Sequence, residues 1–87
     1  MIALATKELT LYYREGCHLC DDMAFSLQEM IAGANWTIRR IDIDRDEALR
    51  QRFNADVPVL CLGEEMICKH FLDREALDRV LCSRTAS

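Results

Sequence analysis

Cys17 and Cys20 bracket the tetrapeptide Cys17-His18-Leu19-Cys20, which follows a short apolar run and opens a stretch free of proline and glycine. Two thiols at this spacing meet the minimal demand of thiol-disulfide exchange. One thiolate attacks a substrate disulfide, and a second thiol resolves the mixed disulfide before it is trapped. If the first cysteine caps a helix, unsatisfied backbone N–H groups and the helix dipole favour its anion, and the second lies one turn on, within reach of its sulfur. Cys17 is then the nucleophile and Cys20 the resolving thiol. A protonated His18 would favour the thiolate further, whereas Asp21 and Asp22 oppose it by placing negative charge near the same sulfur. The spacing is also that of a structural pair or of half a zinc site. What raises the redox alternative is placement after a strand and before a helix.

The elements that must create this placement are legible from periodicity. Leu9-Thr10-Leu11-Tyr12-Tyr13 suits a pleated surface and ends at the turn Arg14-Glu15-Gly16. From His18 to about Ala32, Leu19, Met23, Leu27, Met30 and Ile31 recur at helical spacing, with Gly33 as a stop. Trp36 to Ile43 reads as a second strand, and Asp44 with Glu47 three residues on resembles a capping box opening a short helix to about Phe53. Asn54-Ala55-Asp56 breaks that helix. Val57-Pro58 is restricted to extended geometry and leads into a strand at Val59-Leu60-Cys61-Leu62. Gly63-Glu64 marks a hairpin turn to a fourth strand, Glu65 to Lys69, and Asp73 caps a last helix with Leu72, Ala76, Leu77, Val80 and Leu81 on one face. The order is βαβαββα. It calls for an α/β domain with a mixed four-stranded sheet and helices on both faces, because the βαβ unit needs a parallel pair and the hairpin adds antiparallel strands.

Length and charge bound the function. With 87 residues the chain is expected to form one domain spanning 1–87. Fifteen acidic and eleven basic residues give a formal charge of -4, and the densest basic cluster, Arg39, Arg40, Arg45, Arg50 and Arg52, is interrupted by Asp42, Asp44, Asp46 and Glu47. That is a solvated face rather than the basic stripe that neutralises phosphates, so no nucleic-acid partner is expected. Met1 to Thr6 has no basic residue ahead of its apolar ones, and no apolar run reaches the ~18 residues of a membrane span. A cytoplasmic protein without a signal peptide or membrane partner is expected. The odd count of five cysteines does not suit a disulfide scaffold. Cys61 and Cys82 fall on apolar faces and read as small hydrophobes, and Met23 and Met30 as core filler. Cys68 is open to a regulatory role.

The run Arg14-Glu15-Gly16-Cys17-His18-Leu19-Cys20-Asp21 after a strand, with Val57-Pro58-Val59-Leu60 about forty residues later, resembles the glutaredoxin-like family of thioredoxin-fold proteins. It is most similar to a small bacterial branch with a Gly-Cys-His-Leu-Cys-Asp motif. The resemblance covers nearly the whole chain. It implies a thioredoxin fold and a cis Val57–Pro58 bond facing the CxxC, with Val57 N–H and C=O available to pair with a substrate chain like an added strand. It also implies that Arg14 contacts a glutathione carboxylate and that Tyr12 or Tyr13 lines the same groove. The chain departs from the family where glutaredoxins carry Gly-Gly, since the corresponding stretch reads Ile67-Cys68-Lys69-His70.

Three functions compete at this stage. The first is a monomeric thiol-disulfide oxidoreductase acting on a protein or small-molecule disulfide, with no tightly bound cofactor and with glutathione as a candidate co-substrate. The second is a zinc or iron-sulfur module built on Cys17 and Cys20, completed by Cys68, His70 or a second subunit, since about four ligands are needed. The third is a redox-inactive interaction domain.

Overall fold

The computed structural model describes residues 7–85, and the expectations resting on residues 1–6 lie outside the described residues. Strand β1 (Glu8–Tyr13) runs parallel to β2 (Thr37–Asp42) and antiparallel to β3 (Val59–Leu62), which pairs antiparallel with β4 (Glu65–Lys69), giving the sheet order β2-β1-β3-β4. Because successive strand residues point to opposite faces, β1 and β3 serve two cores at once. Leu9, Leu11 and Leu60 turn to one face, where they meet Met23, Ala24, Leu27 and Ile31 of helix α1 (His18–Ile31) and Leu77 of helix α3 (Arg74–Thr85). Val59 and Cys61 turn to the other, against Ile43 and Phe53, with Tyr12 stacked on Phe53 at 4.5 Å between ring centres. Phe53 closes helix α2 (Glu47–Phe53), so helices cover both faces of the sheet as expected.

The second strand and helix are joined differently from the sequence expectation. The capping box assigned to Asp44 and Glu47 does not form. Instead Ile43–Arg45 makes a 3-10 turn whose cap is Asp42, accepting from Asp44 N–H at 2.9 Å. The α2 cap is Asp46, whose carboxylate accepts from Ala48 and Leu49 N–H at 2.9 and 3.3 Å. Burial of Ile43 at the sheet end forces this extra turn, and it releases the Asp44 carboxylate toward Arg14. An Asp46→Ala variant is therefore expected to lose about 1 kcal/mol of stability in urea denaturation, with Asp44→Ala losing less.

Two other expectations are corrected. Cys82 is exposed rather than packed on an apolar face, because five residues beyond Leu77 it is turned by about 140° from the residue that faces the sheet. Leu19 is 38% exposed rather than part of the buried stripe of α1. Asp73 does cap α3 as expected, accepting from Ala76 N–H at 3.0 Å.

Candidate active site

The turn that delivers the first cysteine is set by Gly16. Its φ of +78° supplies the left-handed third position of a four-residue turn, closed by Cys17 N–H donating to Arg14 C=O at 3.2 Å. Cys17 then leaves the turn in extended conformation as the N-cap of α1. Cys20 N–H donates to Cys17 Sγ at 3.1 Å, and Asp21 N–H to Cys17 C=O at 3.1 Å. A sulfur in this position takes up one of the helix's unsatisfied donors, and those donors favour the anionic form of an acceptor. Cys17 and Cys20 are joined as a disulfide with their Cα atoms 5.2 Å apart. The two sulfurs are not equivalent. Cys17 is half-buried, whereas Cys20 is 2% exposed and belongs to the buried side of α1.

The other elements converge on the same end of the sheet. Tyr12 pairs with Val59, so continuing the register brings Pro58 alongside Tyr13 and the turn to Cys17. The Val57–Pro58 bond is cis, as the family resemblance implied, and Pro58 is buried. Pro58 C=O accepts from His70 N–H at 2.8 Å, which ties the segment after β4 to the proline. Among the described residues Val57 makes no backbone hydrogen bond outside the strands and helices, and it precedes the first paired residue of β3.

A groove of about 240 Å³ lies on one side of the pair, lined by Tyr13, Arg14, Gly16, Cys20, Asp21 and Arg40 among others. It holds the expected residues Tyr13 and Arg14 together, while Tyr12 belongs to the opposite face of the sheet. Arg14 is less available than the resemblance implied, because its Nε donates to Asp44 at 3.1 and 3.3 Å. On the other side a second groove of about 180 Å³ is lined by Leu19, Asp22, Met23, Ser26, His70, Phe71 and Leu72. Sequence periodicity missed this groove. Its one signal was an apolar Leu19 and Phe71 in segments adjoining polar turns. His18, between the cysteines, is exposed and caps nothing.

Cys61 and Cys68 stand apart in chemistry. Burial raises the Cys61 thiol above its ordinary value of 9.0, against a lowering by Arg52. Burial likewise raises Cys68, against a lowering hydrogen bond from the Asp73 backbone. The fold thus prefers both thiols neutral. Their contribution to stability is present below pH 9.0 and lost as pH rises through the raised folded values. In alkylation of the reduced protein both are expected to label slowly at neutral pH and to go on gaining rate above pH 9.0, where an unperturbed thiol levels off, in mass-resolved time courses. As for a metal, no three His, Cys, Asp or Glu side chains gather into a cation site among the described residues, so Cys68 and His70 do not complete a set with Cys17 and Cys20. Cys17 and Cys20 then supply two of the about four ligands a zinc or iron-sulfur centre needs, and a second subunit would have to supply the rest.

Residues 8–82 match the family model described as a glutaredoxin-like domain (DUF836). Among solved structures, the chain is similar to protein Ne2328 from Nitrosomonas europaea, at 34% identity and TM-score 0.78, covering 93% of this chain and 98% of that one. It is also similar to protein XcR50 from X. campestris, at 31% identity and TM-score 0.63, covering 86% of this chain and 96% of that one. A thioredoxin from Halobacterium salinarum shares the fold at 22% identity and TM-score 0.62, covering 92% of this chain and 76% of that one. No curated protein matches the sequence.

Proposed function

Because the chain belongs to the glutaredoxin-like domain family and its cysteine pair gives it a redox-type role, we propose that it is a thiol-disulfide oxidoreductase, a monomeric electron carrier or disulfide reductase of the cytoplasm. Support comes chiefly from one observation: Cys17 at the helix cap is reachable while Cys20 behind it is buried. An attacking thiol must meet a substrate, and a resolving thiol need meet only its neighbour.

In the reduced protein the Cys17 thiolate attacks one sulfur of the substrate disulfide. A protein-substrate S–S bond forms as the substrate S–S bond breaks, and the first substrate thiolate leaves and takes a proton. Cys20, deprotonated, then attacks Cys17 Sγ. The Cys17–Cys20 disulfide forms, the mixed disulfide breaks, and the second substrate thiol leaves. Two electrons have passed from the protein dithiol to the substrate, and an external thiol reductant returns them. One chain supplies both sulfurs, the turn and the Val57–Pro58 segment, which supports action as a monomer.

The test is to mix reduced protein with excess 2-hydroxyethyl disulfide. Two equivalents of 2-mercaptoethanol released per protein, with loss of two protein thiols, are expected. No release, with both thiols still free by mass, would refute exchange.

A further inference from the structure

We propose that the disulfide this site takes belongs to an extended polypeptide carrying an apolar and a basic residue beside its cysteine, in preference to the anionic disulfide of glutathione. This rests on the exchange chemistry above and names its substrate class.

The charges around the pair are distributed unequally. Two of the cations near it are matched within the chain, Arg14 by Asp44 at 3.1 Å and Lys69 by Asp56 at 3.5 Å. Arg40 shares its groove with Glu15 and Asp21. On the side of Leu19 and Phe71 the charge is Asp22, in the first turns of α1, which is exposed and makes no ion pair among the described residues. An anion arriving beside Leu19 therefore meets uncompensated negative charge, and a cation arriving there meets an open partner.

Backbone donors tell the same story. The N–H groups of residues 70 and 71 border the groove beside Leu19, and both are already taken within the chain. His70 N–H is used by Pro58 C=O at 2.8 Å and Phe71 N–H by Lys69 C=O at 2.7 Å. His70 is held at φ +69°, a conformation uncommon for a side-chain-bearing residue, with its Nε2 3.1 Å from Ala55 C=O. The segment is thus fixed with its donors turned inward. It presents instead the ring of Phe71, 70% exposed, opposite Leu19 across the 180 Å³ groove, with Asp22 in the same wall. Val57, next to the buried proline, is left with backbone groups to pair with an extended chain. An extended strand, an apolar side chain and a basic side chain together describe a polypeptide.

The experiment compares rates of oxidation of the reduced protein by four disulfides: a peptide disulfide with Leu and Lys flanking cysteine, the same peptide with Glu for Lys, glutathione disulfide, and neutral 2-hydroxyethyl disulfide. At low ionic strength the Lys peptide is expected to react about tenfold faster than the Glu peptide or glutathione disulfide, with the ratio shrinking as salt is raised. Asp22→Asn is expected to lower the Lys-to-Glu ratio. Phe71→Ala, at a largely exposed position, is expected to slow the peptides several-fold more than the small neutral disulfide. Glutathione disulfide reacting as fast as the Lys peptide, or equal rates for the Lys and Glu peptides, would overturn the assignment while leaving exchange intact. Failure of all four disulfides, the neutral one included, would instead remove the exchange chemistry and the proposal with it.

Discussion

A Cys17→Ser variant is expected to lose disulfide reduction by at least about a thousandfold, because Cys20, the thiol left in the pair, is 2% exposed and out of a substrate's reach. Cys20→Ser is expected to behave differently. It keeps the first attack and stops there, so that one substrate half remains on Cys17 and is seen by mass as a single adduct. The contrast follows from the arrangement of the two sulfurs. Cys17 Sγ sits at the mouth of the helix with a backbone N–H at 3.1 Å, whereas Cys20 is 2% exposed. A serine at 20 retains the hydrogen-bonding backbone of the turn and removes only the resolving sulfur. The opposite result, an adduct on Cys20 in the Cys17→Ser protein and no first step in Cys20→Ser, would exchange the two roles.

The second large effect concerns the support of that helix. Leu27 lies two turns into α1, is fully buried, and joins Leu9, Leu11, Leu60 and Leu77 in the core that seats α1 on the sheet. Leu27→Ala removes this contact and leaves a cavity, at a cost of about 3 kcal/mol. For a domain whose total stability is about 5–15 kcal/mol, that is a large fraction. A clear drop of the urea midpoint is expected, and a Leu27→Met variant, which keeps most of the volume, is expected to lose less than about 1.5 kcal/mol. Equal midpoints for Leu27→Ala and the parent would contradict the packing described.

Several residues carried their place in the fold openly in the sequence. Leu9 to Tyr13 was legible as a strand from its residue types, and Gly63 marked the hairpin between β3 and β4. Cys17 was legible as a cap because a glycine turn precedes it and a helical period follows. What was not legible depended on tertiary choices. Three aspartates, Asp42, Asp44 and Asp46, are equally good local caps, and only the burial of Ile43 decides which two are used and which turns to Arg14. Leu19 has the period of a core residue. It is nonetheless half out of the core, because the first turn of α1 meets the 70–72 segment rather than the sheet. The left-handed His70 gave no warning at all, since positive φ is a property usually announced by glycine or asparagine. For the same reason the groove beside Leu19 was missed while the pair itself was found.

The measurement that bears most directly on exchange at Cys17 and Cys20 is the redox equilibrium of the pair in defined glutathione and dithiothreitol buffers, with thiols counted by mass and Cys17→Ser as control. A reversible two-electron couple at about -200 to -270 mV, absent from the control, is expected. Thiols that neither oxidise nor reduce reversibly, or a couple that survives in the control, would contradict it.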